Sequence, residues 1–194
     1  MPVRYWKLAV ASALLLGAAP GLGAWAQAVP AAAQQDEKQD DKQSEAEKNL
    51  LPLGQVAPDF TLPLVGGGEV TLADLLKFGK ATLVGFWGID AEAGGEAILK
   101  AQKVHEELSQ KGLSTITVNP RDRARDIEKF IKSSNLHIQV AIDGKETNSA
   151  VTSVFKARTL PTFYLLDPSG KVLWRSIGFK EPGLRAALEK AGVK

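Results

Sequence analysis

Residues Thr82 to Trp87 form a short run rich in β-formers, and a few positions later the pattern becomes helical from Glu92 to Gln110. A run of that length bounded by turn residues reads as a buried strand. In the helical stretch Ile98, Ala101, Val104, His105 and Leu108 fall at helical spacing, and Gly112 closes it. The turn joining the two reads Gly88-Ile89-Asp90-Ala91-Glu92-Ala93-Gly94, and no cysteine occurs there or anywhere in the 194 residues. Only a thiolate supplies the attacking atom of thiol–disulfide exchange at neutral pH, so this turn cannot perform it.

The remainder of the chain alternates strands with helices. Gly54 to Leu62 is extended, because Pro58 disfavours helix at Ala57. Gly66-Gly67-Gly68 marks a turn, Val70-Thr71-Leu72 a short strand, and Ala73-Asp74-Leu75-Leu76 a helical turn. Strands follow at Leu113 to Val118 and Ile138 to Ile142, the second ended by Asp143-Gly144. Helices are expected at Arg123 to Ser134, with Ile127, Phe130 and Ile131 inward, and at Asn148 to Lys156. Thr162 to Leu166 and Val172 to Ile177 make a hairpin about Asp167-Pro168-Ser169-Gly170, and Glu181 to Ala191 ends the chain as a helix. This order predicts one α/β domain, a central mixed sheet flanked by helices, over residues 50–194.

The N-terminal extension divides in two. Residues 1–28 have the make-up of a secretory signal: Arg4 and Lys7, the apolar run Leu8 to Leu22, and the small-x-small site Ala26-Gln27-Ala28. The apolar run is short for a membrane span and contains Gly17, Pro20 and Gly21, which favours cleavage over an uncleaved tether. Residues 29–49 change to Ala, then to Gln, Asp, Glu and Lys, and read as a disordered polar linker. The chain carries 24 Lys and Arg against 22 Asp and Glu, and without Arg4 and Lys7 the counts are equal. A balance of that kind gives no case for nucleic acid or an anionic membrane surface as partner. Loss of Met1 with the leader would leave a protein without sulfur, and so without soft metal ligands.

A second anchor is Arg158-Thr159-Leu160-Pro161-Thr162-Phe163. Together with Pro58-Asp59-Phe60, Leu72-Ala73-Asp74-Leu75, Phe86-Trp87 and the hairpin, it resembles the thioredoxin-like superfamily, and most of all the secreted TlpA/ResA-type (AhpC/TSA-like) redoxins. The resemblance implies a thioredoxin-like fold, a location in the periplasm or cell envelope, and disulfide reduction as the family's work. It also implies that Pro161 is a cis-proline facing the turn, and that the backbone of Leu160 pairs with an extended peptide. This chain departs from the family where the chemistry lies. The two cysteine positions hold Ala91 and Gly94, Asp90 replaces the usual Trp, and Thr71 takes the place of a buried carboxylate found in some relatives.

The other candidates carry less. Asp90, Glu92 and Glu96 could do acid–base work or hold a hard cation, but acids at a helix start also complement its dipole. His105 and His137 make no metal spacing, no Ser lies in a Gly-x-Ser-x-Gly context, and Gly66-Gly67-Gly68 lacks the Lys of a phosphate loop. The reading that results is a cysteine-less redoxin-family protein with no cofactor, no metal and no catalytic residue. Its degenerate redox positions are Asp90, Ala91, Glu92, Ala93 and Gly94. An extended segment of an envelope protein would lie against Trp87, Ile89, Leu160, Pro161 and Thr162, although Trp87 reads equally as an exposed indole or as part of the core. The alternative is an enzyme or redox auxiliary that uses Asp90 and Glu92, or a partner's thiols.

Overall fold

The computed structural model describes residues 46–91, 93–144 and 150–194. The leader, the linker up to residue 45, Glu92 and the expected helix start at Asn148 lie outside the described residues.

Strand β3 (Ala81–Phe86) is fully buried along its length and forms the centre of a five-stranded sheet. It pairs in parallel with β4 (Leu113–Asn119) and antiparallel with β6 (Thr162–Leu166), while β5 (Gln139–Ile142) and β7 (Val172–Ile177) lie at the two edges. Two further strands, β1 (Thr61–Pro63) and β2 (Glu69–Thr71), form a separate antiparallel pair about the glycine turn. The mixed sheet and its order of elements agree with the α/β expectation.

Alternation along the central strands assigns side chains to two cores. Val84, Phe86, Ile116, Val118, Tyr164 and Leu166 pack with Leu72 of α1 (Leu72–Lys77), Val151 of α4 (Ala150–Val154) and Phe155. Leu83, Trp87, Phe163 and Leu165 point the other way. They meet Ile98, Ala101 and Val104 of α2 (Gly94–Leu108), Ile127 of α3 (Ala124–Ser134), and Leu184 and Leu188 of α5 (Glu181–Lys190). On this second face position 85 requires glycine, because a Cβ there would lie 2.7 Å from the Phe163 ring.

Segments N-terminal to β3 close the edges. Val56 bridges Lys171 beside β7, and the Gly54 N–H donates to the Val172 carbonyl (2.8 Å). Leu64 bridges Ala141 of β5, and the Val65 N–H donates to the Val140 carbonyl (2.8 Å). Asp59 ties this stretch to α1, its Oδ1 accepting from the N–H groups of Phe60 (2.9 Å) and Ala73 (3.0 Å). Thr71 acts as the N-cap of α1, accepting from the Asp74 N–H at 3.1 Å.

The domain begins before Leu50, which corrects the linker boundary. Residues 46–48 form a helical turn, and Glu47 Oε1 accepts from the Ile177 N–H (3.0 Å) and pairs with Lys180 Nζ (3.0 Å). Arg175 Nη1 donates to the carbonyls of Leu50 (2.7 Å) and Leu51 (2.6 Å), so β7 and the segment before α5 hold the chain from Glu47 to Leu51. Helix α2 begins two residues later than expected, because Ala93 adopts a left-handed conformation (φ 56°) just ahead of it.

Candidate functional site

Pairing of Phe86 with both Val118 and Thr162 brings three connections to one end of the sheet. They are the turn after β3, the loop after β4 and the segment ahead of β6. Gly178, after β7, joins them by donating its N–H to the Pro161 carbonyl (2.8 Å). The topology therefore places the two candidate segments, 87–94 and 160–162, side by side.

The turn after β3 is tight. Ala91 N–H donates to the Gly88 carbonyl (3.3 Å), Gly94 N–H to the Ala91 carbonyl (2.8 Å), and Ala97 N–H to the Ala93 carbonyl (2.8 Å). This coil leaves no room at residue 94: an added Cβ would lie 2.2 Å from the Gly88 carbonyl oxygen and 3.1 Å from the Ala91 Cβ. Asp90 and Ala93 are exposed, Ala91 and Ile89 half-buried, and Gly94 buried.

Residues that sequence reasoning missed hold the turn in place. Asp122 Oδ2 accepts from the Ile89 N–H (2.7 Å) and from Asn119 Nδ2 (2.8 Å). The buried Asn119 at the end of β4 accepts with Oδ1 from the N–H groups of Arg121 (3.0 Å) and Asp122 (2.9 Å). An Asx-type turn of this sort is legible in Asn119-Pro120-Arg121-Asp122; its reach to Ile89 is not.

Trp87 corrects an expectation. It is 0 % exposed, and its ring lies 5.1 Å from that of Phe130, so it offers no indole to a partner. It continues the alternation of Ala81 and Leu83 and therefore points into the helix-covered core. Among the described residues its Nε1 has no hydrogen-bond partner.

The opposite segment is more open. The Leu160–Pro161 bond is cis, Pro161 and Thr162 are buried, and the Thr162 hydroxyl donates to the Thr159 carbonyl. Leu160 is half-buried, and among the described residues neither its N–H nor its C=O has a hydrogen-bond partner. Backbone groups normally find partners, in the protein or in water, and these two face neither a strand nor a helix of the chain itself.

Among the described residues the titratable groups near the turn are mostly engaged with neighbours of their own. Glu96 pairs with Lys100 at 2.7 Å, which holds its carboxyl below the usual range. His105 is half-buried with Nδ1 3.1 Å from Thr115 Oγ1, and burial lowers its pKa. His137 is exposed, and no group of three His, Asp or Glu that could hold a metal occurs among the described residues.

Sheet order, helix placement and the turn beside Pro161 define a thioredoxin-like domain whose redox turn carries no sulfur. Residues 53–175 match the AhpC/TSA family, and the chain belongs to that family. It is 26 % identical over 133 residues to the thiol-disulfide oxidoreductase ResA of Bacillus cereus, covering 69 % of this chain and 74 % of that protein. ResA of Bacillus subtilis is 27 % identical over 128 residues, covering 66 % and 69 %. Among solved structures, the thioredoxin domain of a Bacteroides vulgatus thiol-disulfide oxidoreductase is similar with a TM-score of 0.65 and 25 % identity, over 73 % of this chain and 99 % of that one. A thiol:disulfide interchange protein from a Bacteroides species is similar with a TM-score of 0.63 and 25 % identity, over 72 % and 90 %.

Proposed function

We propose that this chain is a non-catalytic thioredoxin-like module of the cell envelope that binds an extended segment of another protein. The observation that carries the reading is the unpaired backbone of Leu160 beside a turn that has no cysteine. A guest would pair its own backbone with that N–H and C=O, as in strand addition on a small scale. Ile89 and the side chain of Leu160 would supply apolar contact, and Pro161 and Thr162 would shape the loop. Without a mixed disulfide the guest is held by these contacts alone, so the complex is weak and exchanges quickly. The leader-like residues 1–28 support export, and the names of the relatives support descent from thiol-disulfide oxidoreductases.

The test is a photo-crosslinking residue at Ala91 in cells that make the protein, with adducts identified by mass spectrometry. One dominant partner, lost in Leu160→Pro with the circular dichroism spectrum unchanged, is the expected result. Adducts unaffected by Leu160→Pro would overturn the reading. The rival, an acidic site at Asp90 and Glu92, predicts heat on calorimetric titration with Ca²⁺, Mn²⁺ or Zn²⁺ that disappears in Asp90→Asn.

A further inference from the structure

Three arginines crowd the loop that braces the cysteine-free turn. Arg121 and Arg123 flank Asp122, and Arg125 lies in the first turn of α3. All three are exposed, and among the described residues none of their guanidinium groups has a hydrogen bond or ion pair. Arg121 lies against the turn itself, its Cδ 3.4 Å from where a Cβ on Gly88 would stand. The acids close by in sequence are engaged, Asp122 by Ile89 and Asn119, and Asp126 by Lys129 at 3.7 Å. In the segment ahead of β6, Lys156 and Arg158 precede Leu160 and are exposed, with no ion pair among the described residues. Among the described residues Asp90 is an exposed acid of the turn, and Glu128 stands farther along α3. In a chain whose charges almost balance, the described residues at this end of the sheet include five exposed cations without a partner.

We propose that the segment bound across Leu160 is acidic, its carboxylates pairing with Arg121, Arg123 and Arg125. The inference rests on the peptide-binding reading and adds the chemistry of the guest. A guanidinium presents a planar fork of donors that matches a carboxylate, and an unpaired cluster also speeds encounter with an anionic chain. Two strand spacings of about 4.8 Å separate the end of β6 from that of β4, so a guest crossing both ends meets the arginines about three extended residues from Leu160. A nucleic acid would also satisfy arginines, but single strands are held by stacking on exposed aromatics. At this end the one indole, Trp87, is buried. The acidic peptide is therefore the favoured occupant.

Selection from a displayed random octapeptide library, with the immobilised protein as bait, tests the proposal against every peptide chemistry at once. Enriched peptides are expected to carry two or more Asp or Glu and to lose binding to Leu160→Pro. In anisotropy titrations their affinity falls at least ten-fold with the Arg121→Gln/Arg123→Gln/Arg125→Gln variant. It falls similarly when peptide Glu is changed to Gln, which leaves the protein untouched. Leu160-dependent peptides without acids, or with unchanged affinity for the triple variant, would overturn the acidic guest while the peptide-binding reading stood. If no Leu160-dependent peptide is enriched, both fall. Tighter binding of a thymidine oligonucleotide than of any peptide would also overturn the proposal.

Discussion

The carbonyl oxygen of Gly88 occupies the place that a side chain on Gly94 would need, 2.2 Å from the ideal Cβ position. Position 94 therefore has no room for any side chain, a cysteine included. Gly94→Ala is expected to cost about 1–3 kcal/mol in urea denaturation, the usual range for overpacking a tight site. Ala91→Cys with Gly94→Cys should be destabilised likewise and should not become a disulfide reductase. The Cβ–Cβ separation of 3.1 Å falls short of the roughly 3.5–4.5 Å that a disulfide uses.

Asp122 accepts from the turn and from the end of β4 with one oxygen. Asp122→Ala leaves the Ile89 N–H and the Asn119 amide without an acceptor, and should cost about 1–3 kcal/mol of stability. Asp122→Asn, which keeps an oxygen, should cost less. Hydrogen exchange at the Ile89 amide should rise in the alanine variant more than exchange in β3.

His105 titrates lower in the fold than in the unfolded chain, chiefly because burial disfavours its charged form, with Glu106 pulling the other way. The unfolded state then binds more protons, so stability is retained above pH 6.5 and declines as pH falls through the folded pKa. Urea midpoints of His105→Gln should show a shallower decline over that acid range than those of the parent.

Tyr164 behaves in the opposite sense. Its hydroxyl donates to the Phe155 carbonyl (2.6 Å) and accepts from the Leu51 N–H (3.3 Å), and burial pushes its pKa up to about 12. The folded state holds the proton longer, so this contribution is complete below pH 10 and is lost as pH rises towards 12. Tyr164→Phe should lose about 1–3 kcal/mol at neutral pH by leaving two backbone groups unpaired. Its unfolding should also depend less on pH above 10.

Much of the architecture is legible in the sequence because it follows from periodicity. The buried strand at Thr82, the hairpin about Asp167 and the inward faces of the helices all announce themselves locally. Trp87 is legible too, since alternation from Leu83 places it on the helix-covered face, but its position beside the turn is equally compatible with exposure. The contacts that shape the site are another matter. The hydrogen bond from Ile89 to Asp122 spans 33 positions, and that from Ile177 to Glu47 spans 130. No local pattern encodes either. The exclusion of a side chain at Gly94 depends on two successive turns whose angles composition does not specify. The arginines of the 121–125 loop are visible individually, but a chain-wide charge balance conceals that the fold brings them to the same end of the sheet as Leu160.

One continuous stretch, residues 54–65, reaches both margins of the sheet, bridging at Val56 and again at Leu64. Bare margins are where sheets of separate molecules join and grow into aggregates. A single belt touches both, so one proteolytic cut between Val56 and Leu64 should loosen both bridges at once, leaving β7 the cover of Glu47 on Ile177 and β5 none of that kind among the described residues. The same belt stops short of the end of the sheet at Leu160, where the backbone stays unpaired among the described residues.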